Sequence, residues 1–291
     1  VGWCHTIDQR NFANRTCTLP VATGPLSVRR VARYGSVTSS SRCRWLGSLY
    51  QQRPSNRFVF SREEAVLIAG FPAGSFATNC YVVAPGPGEE CVIIDPGQDA
   101  EPGIAEILAT HRLKPVAVLL THGHIDHIWS VVPVCGARDI PAYIHPSDRA
   151  LLSDPARGLP LQAGQQLFGG LAFTEPDEVA ELADGMTVRL AGVELAVDHA
   201  PGHTPGSVAF RADEGVLFSG DLLFAGSIGR TDLPGGDYPA MLESLARVCL
   251  TLPDEIQVLP GHGPQTTIGA ERAGNPFLAG LPPPVPGRPG L

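Results

Sequence analysis

Four residues able to bind an ion or move a proton crowd into six positions of the stretch LLTHGHIDHIWS. His122, His124, Asp126 and His127 follow directly on an apolar run. His122 and His124 are two apart, so an extended backbone aims both imidazoles to one side. Asp126 and His127 come where the chain turns into a helix and can face a second point nearby. Three further Gly-flanked motifs add to the set: HAPGHTPGS supplies His203, FSGDLLF supplies Asp221 and VLPGHGP supplies His262. Imidazole and carboxylate groups suit borderline metals, zinc first, with iron or manganese as the other candidates. The lack of a Cys ligand argues against a purely structural zinc site. Two divalent ions roughly 3.5–4 Å apart could share Asp221 as a bridge and hold a hydroxide between them, a nucleophile for hydrolysis. A single His after a strand is ordinarily a satisfied polar residue, and His5, His111 and His145 are read that way. His111 is placed to meet the C-terminal end of a helix dipole, and His199 is read as packing, with support of a ligand from behind as the alternative.

The elements around these residues are short and well marked. VLIAGF (66–71), NCYVVA (79–84), CVIIDPG (91–97), PVAVLLTH (115–122) and PAYIH (141–145) read as strands broken by Gly and Pro. GIAEILATHRL (103–113) has helical spacing, and a second helix begins at HIWSVVPVCGA. MTVRLAGVELAVDHAPG reads as a hairpin turning at Ala191-Gly192, and SVAFRADEGVLFSGDLLF as one turning at 213–215. YPAMLESLARVCLTL (238–252) reads as an amphipathic helix, and IQVLPGHG as a final strand. The ligand candidates all fall in strand-end loops, where a rigid sheet presents functional side chains. The expected fold is α/β, two mixed sheets face to face and flanked by helices. Residues 147–185 are expected to form loops and a short helix over the site.

Charge is distributed unevenly along the 291 residues. The net charge of −8 combines about +9 over residues 1–62 with about −17 over the rest, and one Lys stands against twenty Arg. An acidic body argues against nucleic-acid binding, and no apolar run reaches the roughly 18 residues of a membrane helix. Residues 1–64 lack periodicity and are expected to be a disordered, dispensable leader, either a start-site extension or a transit-like segment. Residues 65–280 are the expected hydrolase domain, and 281–291 a disordered Pro-rich tail. Without a C-x-x-C pair, the scattered body cysteines read as buried free thiols, and a cytoplasmic setting follows as the default.

The ordered set THGHIDH, PGHTPGS, SGD and PGH resembles the metallo-β-lactamase superfamily, with the match running from about Val66 to Leu278. The resemblance implies an αββα sandwich with the metals at one edge. It implies that His122, His124 and His203 hold one ion, that Asp126, His127 and His262 hold the other, and that Asp221 bridges them. GDLLFAGSIGRTDLPGGD and ERAGNPFL are similar to the small glyoxalase II-like hydrolases, which cleave hydroxyacyl thioesters such as S-lactoylglutathione. By that resemblance Asp126 serves catalysis, Arg230 binds the thiol's carboxylates and Tyr238 lines the pocket. Each has a plainer reading: Arg230 pairs with Asp232, and Tyr238 packs its helix.

Other functions are compatible with parts of this pattern. A persulfide dioxygenase would use one iron on His122, His203 and Asp221, although PGHGP at the last ligand is hydrolase-like. A lactonase and a non-catalytic metal-binding scaffold are weaker alternatives, and intact ligand positions argue against the scaffold. The expected partner is a small-molecule thioester, with no nucleic acid and no membrane. The thiol carrier and the oligomeric state stay open.

Overall fold

The strand TNCYVVA sends alternate side chains into two different cores, and that alternation sets the plan of the molecule. Cys80, Val82 and Ala84 pack with Ile93, Ile104, Val118 and Val134; Tyr81 and Val83 pack with Ile94, Leu119, Leu195 and Phe210. A sheet buried on both faces in this way needs helices on one side and a second layer on the other. The computed structural model shows that arrangement; the described residues are 58–60, 66–161, 172–212 and 215–281.

The first sheet follows chain order: β1 (Phe58–Phe60), β2 (Leu67–Ala73), β3 (Thr78–Ala84), β4 (Glu90–Ile94), β5 (Lys114–Leu119), β6 (Ala142–Ile144) and β7 (Val179–Glu181). Strands β1 to β4 are antiparallel and β4 to β7 parallel. Helix α1 (Glu101–His111) crosses from β4 to β5, and α2 (Ile125–Ile128) and α3 (Val131–Gly136) follow β5. The second half of the chain gives β8 (Thr187–Leu190), β9 (Val193–His199), β10 (Val208–Ala212) and β11 (Val216–Gly220), then the small β12 (Leu223–Phe224) and β13 (Ser227–Ile228) hairpin. Helix α4 (Tyr238–Ser244), β14 (Gln257–Pro260), β15 (Thr266–Thr267) and α5 (Ile268–Gly274) complete it. The second sheet has the order β15-β14-β11-β10-β9-β8. Its outer face carries Ala209, Leu217 and Val258 against Met241, Leu245, Val248 and Ile268. The layers therefore run helix, sheet, sheet, helix.

Several local expectations change in the structure. The helix expected to run on from His127 is broken at Trp129–Ser130, because Ser130 is engaged elsewhere. Its N–H donates to Pro96 O at 2.9 Å, and its hydroxyl donates to Glu101 Oε2 at 3.1 Å. The helix expected over 238–252 ends as a wider π turn, Leu245–Cys249. Of segment 147–185, residues 162–171 lie outside the described residues; the rest holds two 3-10 turns, Arg149–Leu151 and Pro155–Gly158, and also β7. Phe58–Phe60, inside the segment expected to be leader, pairs with β2 as β1. The rest of that leader through 57, with 61–65, lies outside the described residues, as do 213–214 of the expected hairpin turn and the tail from 282. Cys80, Cys91, Cys135 and Cys249 are free and buried, and burial pushes the thiols of Cys91, Cys135 and Cys249 up to about 12. Such thiols are packing groups. Among the described residues no helix is long and apolar enough to cross a membrane.

Candidate metal centre

Strands β9 and β11 are both antiparallel to β10, and β14 is parallel to β11, so all three end at the same edge of the second sheet. His203, Asp221 and His262 follow those ends, and the turn bearing His122 and His124 leaves β5 of the first sheet at the same place. Sheet topology thus gathers residues from four distant segments. Three overlapping groups form: His122, His124 and His203; His122, His127 and Asp221; Asp126, His127 and His262. Within each group the ligand atoms lie within 4.8 Å of one another.

Asp221 faces both sides of the cluster. Its Oδ1 lies 3.4 Å from His127 Nε2, and its Oδ2 lies 3.4 Å from His203 Nε2 and 3.7 Å from His262 Nε2. Asp126 Oδ2 lies 3.0 Å from His262 Nε2 and accepts from Thr78 Oγ1 at 3.1 Å. The far nitrogens of the rings are anchored. His203 Nδ1 donates to Arg230 O at 2.7 Å, and His127 Nδ1 meets Asp95 Oδ2 at 2.9 Å. His122 Nδ1 meets Thr121 Oγ1 at 3.1 Å. Such partners select which nitrogen turns its lone pair inward.

The donor set fits divalent ions on a specific observation. His122 Nε2 and Asp221 Oδ1 are buried atoms without a hydrogen-bond partner among the described residues. Burying the unpartnered His122 nitrogen costs roughly 1–3 kcal/mol, Asp221 Oδ1 has only its 3.4 Å ion pair with His127, and an ion would satisfy both atoms. His124 Nδ1 stands 2.7 Å from His203 Nε2, while His124 Nε2 is buried without a partner. An ion taken up between the two rings would accept both inward lone pairs, with the His124 proton carried on its outer nitrogen.

Electrostatics divide the cluster. Burial, then the imidazoles of His127 and His203, hold His122 well below its ordinary pKa. Burial and His203 push His124 down to about 3. Both rings are therefore neutral, the form that binds metal. Burial alone would lower His127, but the carboxylates of Asp126, Asp221 and Asp95 outweigh it and raise it well above the ordinary value. His262 is likewise raised despite burial, by its bond to Asp126 and the charge of Asp221. Asp126 and Asp221 would be raised by burial, yet His127 first among their neighbours holds both below the carboxylate range. The raised imidazoles stand against the lowered carboxylates, and cations bound among them would displace protons.

The side chains of the remaining candidates make other contacts. The Arg230 guanidinium pairs with Asp232, Nε to Oδ1 at 2.7 Å. Tyr238 is exposed at the start of α4. His199 stacks on His145, ring centroids 4.1 Å apart, and His111 occupies the last turn of α1. The supports of the cluster went unread in the sequence. Asp95 also accepts from Thr121 N and Oγ1 at 2.8 and 2.6 Å. Asn79 ties down the His262 loop by donating to Pro260 O and Gly263 O at 3.0 and 2.9 Å. The DPG after β4 was the available signal for Asp95; Asn79 carried none.

Comparison with known proteins agrees with this geometry. Residues 73–262 match the family described as the metallo-beta-lactamase superfamily. A protein of Mycobacterium tuberculosis is 52% identical over 223 residues, 74% of this chain and 99% of the relative. A hydroxyacylglutathione hydrolase of Haemophilus influenzae is 35% identical over 209 residues, 71% of this chain and 95% of its own. Among solved structures, the B3 metallo-beta-lactamase BLEG-1 is 42% identical with a TM-score of 0.64, covering 73% of this chain and all 100% of its own. TTHA1623, solved in a di-iron-bound form, is 45% identical with a TM-score of 0.60, covering 70% and 97%.

Proposed function

The chain belongs to the metallo-beta-lactamase superfamily, and from that premise we propose that it hydrolyses hydroxyacyl thioesters of a small thiol, S-lactoylglutathione being the test case. The observation that carries the reading is Asp221, whose two oxygens face the two halves of a dinuclear His/Asp cluster. His122, His124 and His203 would hold one divalent ion and Asp126, His127 and His262 the other, zinc first, with iron or manganese as the alternatives. Bound ions of this kind lower the pKa of water toward about 7 and polarise a carbonyl oxygen. The relative from Haemophilus influenzae carries the thioester-type activity in its name and supports this substrate class.

The chain's own residues supply the rest. The open side of the centre lies at Asp126 and His262, the two partly exposed members. A substrate carbonyl reaching the cluster enters there, past the Phe224 ring that stands edge-on to His262. Asp126 holds its carboxylate toward that opening, oriented by Thr78, and takes the proton of the attacking water. Arg230, on the β13 side beside His203, can redirect its guanidinium from Asp232 to a substrate carboxylate. The C–S bond breaks as the acyl carbon gains oxygen, and the thiolate leaves without needing a strong acid.

The test is an assay of purified protein of known metal content with S-lactoylglutathione, beside Asp126→Ala. Turnover lost in the variant supports the reading. BLEG-1 is named for lactam hydrolysis, so a cephalosporin forms the second arm of the assay, and turnover of it alone overturns the thioester assignment. Oxygen uptake with glutathione persulfide in the iron-loaded protein would favour a dioxygenase.

A further inference from the structure

Asp148 hydrogen-bonds to none of the seven candidate ligands, yet it is completely buried beside them. It follows β6 in the first sheet and sits at the start of the 3-10 turn Arg149–Leu151. Its Oδ2 accepts from Gly123 N at 2.9 Å and from Thr204 Oγ1 at 2.6 Å, and its Oδ1 accepts from Gly206 N at 2.7 Å. Gly123 lies between His122 and His124, and Thr204 directly follows His203. One carboxylate therefore joins the histidine turn of the first sheet to the histidine loop of the second.

The surroundings are shaped for this link. Thr204 gives its proton to Asp148, so the 2.7 Å contact with Ser207 leaves Ser207 Oγ as donor to Thr204 Oγ1. Position 206 must be glycine for the backbone to come so close, since a Cβ there would stand 2.6 Å from the Asp148 carboxylate. The other half of the cluster has supports that do not involve Asp148: Asp126 by Thr78, His127 by Asp95, which also reaches His122 through Thr121, and the His262 loop by Asn79.

Building on the dinuclear reading above, we infer that Asp148 is a positioning residue for one ion only. It fixes His122 and His124 relative to His203 and so sets the affinity of the ion those three hold. An apolar residue at 148 would leave two backbone N–H groups and a hydroxyl without acceptors. An asparagine would turn an N–H₂ toward one of those donors. Loss of an outer partner of this kind lowers metal affinity by about 10–100-fold.

The experiment is zinc competition against a chromophoric chelator, with cobalt absorption spectra, on the full chain and on Asp148→Asn, Asp148→Ala and Thr204→Val. The expected result is two ions bound by the unsubstituted chain. In Asp148→Asn one affinity falls about 10–100-fold, with a changed cobalt spectrum, while the other affinity is kept. Thr204→Val, which removes one of the three bonds, shows the same selectivity to a smaller degree and decides the matter should Asp148→Ala not fold. Unchanged affinities, or two affinities falling together with apo-protein stability, overturn the inference. An unsubstituted chain that binds no ion overturns the dinuclear reading itself, and that outcome is read before any variant is compared.

Discussion

Asp95 and His127 face each other across 2.9 Å, Oδ2 to Nδ1, with both side chains buried. Asp95 adopts a left-handed backbone (φ 49°), which aspartate and asparagine tolerate better than most residues. Asp95→Asn should therefore keep the turn while weakening the contact that orients His127. Calorimetric titration should show affinity for the ion near His127 reduced by about 10–100-fold. Asp95→Ala also strands the buried Thr121 N–H, and denaturant unfolding of the metal-free protein should show a further loss of about 1–3 kcal/mol.

Asp221 spans the two halves of the cluster, so its loss should not be selective. Asp221→Ala should lower the affinity of both ions by more than the roughly 100-fold expected for an outer partner. It should also leave the variant unable to gain thermal stability from added zinc. The unsubstituted chain should gain about 2.7 kcal/mol for each bound ion at a concentration 100 times that site's Kd, which melts with and without chelator would show. A variant that retained one tight ion would show that Asp221 serves a single site.

The part of this molecule legible in the sequence is the part written in local pattern. Strands such as TNCYVVA, the Ala191-Gly192 turn and the candidate ligands all announce themselves within a few residues. What escaped depends on contacts between distant segments. Asp95 and Asp148 look like ordinary loop acids until the fold brings them to Thr121, Gly123, Thr204 and Gly206. The break at Ser130 comes from its bonds to Pro96 and Glu101, which no helical periodicity records. Arg230 is the clearest case, because its carbonyl serves His203 and a carbonyl is common to every residue type.

Gly261 marks a close approach at the centre. A Cβ at this position would run into the Asp221 carboxylate and the His127 ring. Gly261→Ala should displace Asp221 and lower metal content without unfolding the domain. Metal analysis beside far-ultraviolet circular dichroism would check both halves of that statement, and full loading in the variant would show that the loop yields.

The stacked pair His145 and His199 gives a pH dependence separate from the cluster. Burial, then His199, holds the His145 imidazole below its ordinary value, against the opposing charges of Asp148, Asp184 and Glu181. The unfolded chain then binds the extra proton first. Stability from this source is complete above the ordinary value of about 6.5, and is lost as pH falls from there toward the lower folded value. His145→Phe keeps a ring in the stack and cannot titrate. Melts of chelator-treated protein should show a shallower loss of stability below neutrality in the variant, and parallel curves would remove His145 from the account.

Arg230 offers the sharpest division between binding and catalysis. Its ion pair with Asp232 has both side chains mostly exposed, at 60% and 69%. Water screens so exposed a pair, and it contributes little to stability. The guanidinium is thus free to leave Asp232 for a substrate carboxylate, while the backbone carbonyl stays on His203. Arg230→Ala should leave metal content and melting temperature unchanged, since neither depends on the side chain. Its KM for S-lactoylglutathione should rise about 10-fold or more, the worth of a hydrogen bond to a charged group, with kcat unchanged. Arg230→Lys should recover only part of that, because an ammonium lacks the two-pronged fit to a carboxylate. Asp232→Ala should lower KM or leave it alone, because it releases the guanidinium. If Arg230→Ala and the unsubstituted chain gave the same KM, the side chain would serve only Asp232, and recognition of the thiol would have to lie elsewhere on the open side of the centre.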